Sequence, residues 1–156
     1  MSNRRRILAV ASSGGHWIQL RRMSPAFPVG ETTWVSTSPG HRNEVLPDAF
    51  RMVPDCNRWD KVAVLKSALK MAWVVMRLRP THVVTTGAAP GYFAIFFSKL
   101  LGARTLWIDS VANAEELSMS GSKARGTANE VWSQWPELAT PATDGLVEVG
   151  HHGSVL

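Results

Sequence analysis

Cysteine is almost absent from this chain of 156 residues, which contains only Cys56. A lone thiol excludes an internal disulfide and a cysteine-built zinc cluster, and it suits a reducing cytoplasm. Long apolar runs are also missing. The stretch behind Arg4, Arg5 and Arg6 ends at Ala11, too short for the core of an export signal or for a membrane span. The spaced three-glycine dinucleotide fingerprint is absent, and no Gly-Lys-Ser/Thr closes a P-loop. There are no internal repeats. Acidic residues are the minority, 12 against 17 Lys and Arg, for a formal charge of +5. That excess points to an anionic partner: nucleic acid, a phosphorylated substrate or the face of a bilayer. Nucleic acid is the least favoured, because the basic residues are not interleaved with aromatics along more than one helix.

What is present describes one soluble globular domain over the whole chain, with 45% hydrophobic and 19% charged residues. Apolar runs and breakers predict strands at 7–11, 32–36, 51–53, 82–86 and 105–108, with helices at 16–23, 61–78 and 92–101 and a short helix-like run at 43–49. Such alternation predicts an α/β fold, a Rossmann-like parallel sheet with helices on both faces. Residues 118–126, rich in Ser, Gly and basic side chains, read as a mobile loop. Apolar segments at 131–135 and 146–149 are candidate further strands. The adjacent His151 and His152 read as an exposed tail without carboxylates nearby, so neither metal nor cofactor is expected.

Two glycine-bearing turns follow predicted strands and open predicted helices: Ser12-Ser13-Gly14-Gly15-His16 and Gly87-Ala88-Ala89-Pro90-Gly91. Parallel strands deliver both to one edge, where open α/β sheets bind ligands. Glycine lets a ligand approach the main chain, and helix-opening N–H groups attract anions. Asp109 and Ser110 end the next predicted strand at that same edge, as hydroxyl-binding or helix-capping residues.

The predicted long helix has a stripe of Val62, Leu65, Leu69, Ala72 and Met76 that reads as its core face. Beside it Lys66, Lys70, Trp73 and Arg77 set an aromatic ring among cations. This is either a core helix whose lysines snorkel to water or, together with Arg4, Arg5 and Arg6, a surface for an anionic membrane.

The two turns, with Leu100-Leu101-Gly102-Ala103-Arg104-Thr105, Trp107-Ile108-Asp109-Ser110 and Gln134-Trp135-Pro136-Glu137-Leu138, resemble the acceptor-side subunit of two-component GT-B glycosyltransferases. These are the asparagine-linked glycosylation protein fourteen family and its bacterial relatives in exopolysaccharide and capsule synthesis. The resemblance implies a domain equivalent to the N-terminal half of a GT-B enzyme, with a UDP-sugar bound mainly by a separate donor-binding subunit. It implies a lipid-linked saccharide acceptor and a cytoplasmic location, peripheral at the inner face of the cell membrane. Ser13, Gly14, Gly15, Gly87, Ala88, Ala89, Pro90, Gly91 and Ser110 would then bind substrate. His16 would be the base that takes the acceptor hydroxyl's proton, with Asp109 the alternative carboxylate. Trp135 and Glu137 would line the cleft or meet the partner. The chain departs from eukaryotic members in showing no N-terminal membrane helix, and from many relatives at Val111-Ala112-Asn113-Ala114-Glu115-Glu116. Two other functions remain open, a non-catalytic scaffold that recruits an enzyme to the membrane and a stand-alone nucleotide-binding module.

Overall fold

The computed structural model describes residues 4–155. Seven strands, all parallel, form one sheet in the order β3-β2-β1-β4-β5-β6-β7. They are β1 (Ile7–Ala11), β2 (Thr32–Ser36), β3 (Ala49–Met52), β4 (His82–Gly87), β5 (Arg104–Ile108), β6 (Glu130–Ser133) and β7 (Val149–His151). The central β1 reads ILAVA and is buried at every position, as a parallel strand covered on both faces must be.

Alternate side chains feed two cores. Leu8, Val10, Val35, Val83, Trp107 and Val131 face α2 (Lys61–Leu78), α3 (Ala88–Leu100) and α4 (Met119–Ala124). Ala9, Ala11, Trp34 and Phe50 face the other way, against Trp17 and Leu20 of α1 (Gly15–Arg22). Helices therefore cover both faces, and strand order reverses between β1 and β4, the crevice where such sheets take ligands.

Several local expectations are corrected. The run at 43–49 is a 3-10 helix at Pro39–Val45, and β3 begins at Ala49. The third helix starts at Ala88 rather than residue 92, because β4 turns into it with no intervening loop. Residues 118–126 are not a mobile loop. Ser118 caps α4 by accepting from the Gly121 amide at 2.9 Å, and a polar N-cap turns a Gly/Ser-rich stretch into a helix start. The last segments settle as β6, ending at Ser133, and β7, beginning at Val149. His151 lies inside β7, its Nδ1 3.1 Å from the Ser133 carbonyl oxygen.

The largest correction concerns α2. Its buried face is Ser67, Met71, Val74 and Val75, whereas Val62, Leu65, Leu69 and Met76, expected in the core, are 58% to 63% exposed. The helix is apolar on two opposite sides, so periodicity alone has two solutions. Charge chooses between them: Lys66, Lys70 and Arg77 border the Val62/Leu69/Trp73 side, and burying that side would drag their ammonium and guanidinium groups toward the sheet. Asp60 caps the helix by accepting from the Ala63 amide at 3.0 Å. At the other end Arg6 Nε donates to the Arg79 carbonyl at 2.8 Å, a cation placed at the negative pole of the helix.

Chemical denaturation distinguishes the two faces. Met71→Ala should cost about 2–5 kcal/mol, as for other fully buried methionines, and Leu69→Ala should stay within ~0.5 kcal/mol of wild type. A reversed order would put the wrong side of α2 against the sheet.

Candidate functional site

The site is built where β1 and β4 end. Between Val10 and Ala11 the pairing of these strands slips, from Val10 opposite Thr85 to Ala11 opposite Gly87. Thr86 is the extra residue of a bulge, a device that re-aims groups at a strand's end. Its hydroxyl donates to the His16 carbonyl at 2.6 Å, and its carbonyl oxygen lies 2.9 Å from His16 Nδ1. A carbonyl only accepts, so Nδ1 carries a proton, and of the two neutral tautomers this contact selects the one with its lone pair on Nε2.

Glycine is required above the ring. A Cβ on Gly87 would stand 2.5 Å from His16 Nδ1, and Gly87 has φ 135°. Ala88 follows at φ 65°, in the left-handed region despite its side chain. Gly91 is constrained by space alone, because a Cβ there would run into Thr85 Oγ1. On the β1 side Gly14 has φ 82° and opens α1 without any side-chain cap. Ser13 is exposed, and its amide donates to Thr37 Oγ1 at 3.0 Å.

His16 and Ala88 form one wall of an open cavity of about 220 Å3, completed by Ser110, Ala112, Asn113, Ser118, Met119 and Ser120. The sequence reading missed Asn113 and the 118–120 segment. Their only signal was the serine ahead of Gly121, which reads equally as loop and as cap. The structure thus gathers His16, Ala88 and Ser110 in one cavity and holds Gly87 against His16, while Trp135 and Glu137 stand apart from it.

Asp109 has a different position from a free carboxylate. It is 1% exposed, and its oxygens accept from Trp107 Nε1 (3.0 Å), Ser118 Oγ (2.6 Å), Ser118 N (2.8 Å) and Asn113 Nδ2 (3.2 Å). Four donors converge on this carboxyl group, which thereby organises the 110–118 wall. The close Gly121 leaves it space, since a Cβ there would lie 2.6 Å from Asp109 Oδ1.

Two buried amides outside the predicted set tie this wall to α1. Gln19 Nε2 donates to Ser110 Oγ at 3.2 Å, and Gln19 Oε1 accepts from the Val111 amide at 3.2 Å. Gln134 Nε2 bridges Gln19 Oε1 and the Asp109 carbonyl, at 2.5 and 2.9 Å. Trp135 Nε1 donates to the Val111 carbonyl at 2.8 Å, bracing the same loop, and Glu137 is exposed.

The comparisons with known proteins agree on the fold. No protein-family model and no curated protein matches the chain. Among solved structures, MurG of Acinetobacter baumannii is similar over 96% of this chain and 46% of its own, with TM-score 0.71 and 17% identity. A glycosyltransferase of Rickettsia africae covers 85% of this chain and 37% of its own, with TM-score 0.58 and 16% identity. A putative UDP-N-acetylglucosamine 2-epimerase of Listeria monocytogenes covers 83% and 39%, with TM-score 0.61 and 10% identity.

These define the class: an α/β unit with the fold of one half of GT-B-like structures. The chain spans less than half the length of the structures it matches. The same fold serves a transferase and an epimerase, so function must be argued from the site.

Two substitutions test the architecture. Gly87→Ala should lose roughly 1–3 kcal/mol from the strained backbone alone and more from the clash, and adding His16→Ala should recover the clash component in a double-mutant cycle. Asp109→Ala should lose ~2 kcal/mol or more by stranding its donors. Wild-type unfolding midpoints in both variants would refute this geometry.

Proposed function

We propose that this chain is the acceptor-binding, membrane-associating half of a two-component glycosyltransferase. It would move a sugar from a UDP-sugar onto a polyprenyl-(di)phosphate-linked saccharide, with the donor held mainly by a partner subunit. The observation that carries the reading is a juxtaposition. α2 leaves the sheet edge where His16 sits and turns to solvent an apolar stripe bordered by cations. A lipid-borne acceptor needs both, a face that meets the bilayer and a reactive group at the end of it.

In that reading the uncapped α1 N-terminus at Gly14 and Gly15 receives the acceptor's phosphate through backbone N–H groups. Ser110, Asn113 and Ser120 offer hydrogen bonds to its sugar. His16 Nε2 takes the proton from the attacking hydroxyl. The hydroxyl oxygen then bonds to the donor's anomeric carbon from the face opposite UDP, which departs with the electron pair of the broken C–O bond. The Thr86 carbonyl, bonded to Nδ1–H, stabilises the imidazolium that forms. Asp109 is a positioning residue here, holding the opposite wall.

The membrane surface combines Trp73 with Lys70 and Arg77, whose charged groups lie 4.5 and 5.8 Å from its ring centroid, and the exposed Lys66 and Leu69. No helix among the described residues is long and apolar enough to cross a membrane, so attachment through this face would be peripheral. Arg4, Arg5 and Arg6 lie at the opposite sheet edge from His16, where Arg6 also bonds α2's end.

Reconstitution with a donor-binding partner tests the reading. His16→Ala should lower kcat by roughly 10²–10⁴-fold with little change in acceptor KM. Unchanged turnover in that variant would leave a scaffold role instead, and efficient transfer by the purified chain alone would end the two-component proposal.

A further inference from the structure

A second cavity lies away from His16. It holds about 460 Å3 and is lined by Thr33, Arg51, Trp73, Val74, Met76, Arg77 and Leu78. Thr33 lies on β2 and Arg51 on β3, whose outer flank no further strand pairs among the described residues. Both project from the α2 side of the sheet, because their neighbours Trp34 and Phe50 fill the opposite core. The last two turns of α2 form the other bank.

The chemistry of this groove is specific. Val74, Met76 and Leu78 give its lining an apolar part, and Arg51 and Arg77 bring two guanidinium groups to it with no carboxylate. Arg51 uses one N–H on the Phe50 carbonyl at 3.0 Å, and no side chain among the described residues claims its other donors. Arg77 is oriented by Trp73. A second trough, lined by Arg4, Arg5, Arg6, Glu31 and Asp48 among others, shares Thr33 and Leu78 with the first. Asp48 is internally engaged, accepting from the Gly30 amide at 2.6 Å and Trp34 Nε1 at 3.0 Å.

We propose that the Arg51–Arg77 groove is a seat for the phosphate headgroup of an anionic phospholipid, with the acyl chains leaving across Met76, Trp73 and Leu69. The inference rests on the membrane reading of α2 and adds to it a discrete site at the end of the helix farthest from His16. Charge complementarity selects a phosphate, and continuity of the groove with the exposed apolar stripe selects an amphiphile over a free anion. α2 is 18 residues long, about 27 Å, so a lipid seated here pins one end of the helix while the other stays at the reactive edge.

Vesicle sedimentation with the full chain tests this, using phosphatidylcholine alone and phosphatidylcholine mixed with phosphatidylglycerol. A cation acting only through diffuse attraction strengthens attachment by about fivefold, and lysine would replace it without loss. A guanidinium holding a phosphate through two N–H groups is not replaced by lysine. Arg51→Lys and Arg51→Ala should therefore both weaken binding to the anionic vesicles by about tenfold, with Lys66→Ala weakening it by no more than about fivefold.

Wild-type affinity in Arg51→Lys, or equal losses in Arg51→Ala and Lys66→Ala, would overturn the seat and leave the membrane face standing. Failure of the wild-type chain to bind either vesicle, or undiminished binding by Leu69→Glu, would overturn both. Arg51-dependent binding of inorganic phosphate as tight as that of the vesicles would assign the groove to a soluble anion and overturn the lipid. Impaired assembly with the partner chain at unchanged vesicle affinity would make it a protein contact and do the same.

Discussion

One extra residue in a central strand governs the candidate site. β4 must pair with β1 along its length and yet deliver one residue more at its end, and Thr86 is that residue. It grips His16 twice, by its hydroxyl and by its carbonyl. Each such bond contributes only about 1 kcal/mol to stability, but together they decide the ring's position and the nitrogen that holds the proton. Gly87 completes the arrangement by being absent as a side chain. β1 and β4 are neighbours at the centre of the sheet, so this geometry is anchored in the middle of the fold.

The facing wall is held by a different strategy. The segment after β5 has little apolar surface to bury, and polar bonds fix it instead: Asp109 beneath it, Gln19 and Gln134 beside it, Trp135 across it. A buried network of this kind is stabilising only when every member is satisfied. The cavity is thus the meeting of a wall set by sheet register and a wall set by hydrogen bonds, drawn from segments far apart in the chain.

α2 links this site to the rest of the surface. Its sheet-facing residues are small or flexible and fill the space over β1 and β2, while its bulkier side chains stand outward between cations. A helix apolar on both sides is poorly suited to water alone and well suited to a boundary between protein and another apolar phase. It runs back from the sheet edge where His16 sits to the arginine-lined groove, so a surface that orients the helix also orients His16.

The alternation of strands and helices, the limits of β1, β2 and α2, and the meeting of the two glycine turns at one edge were legible in the sequence. Each follows from local rules: apolar runs of strand length, proline and glycine stops, and the requirement that parallel strands end on one side. His16 stood out for the same reason. What tertiary structure alone decided were the bulge at Thr86, the engagement of Asp109 by four donors, the helix at Met119–Ala124 and the choice between the two stripes of α2. These depend on partners distant in the chain, Thr86 with His16 and Gln134 with Gln19, on an irregular loop that folds Ser118 back onto Asp109, and on which side of a helix its cations can reach water. Local periodicity carries no record of such pairings, because the same residues satisfy it in either arrangement.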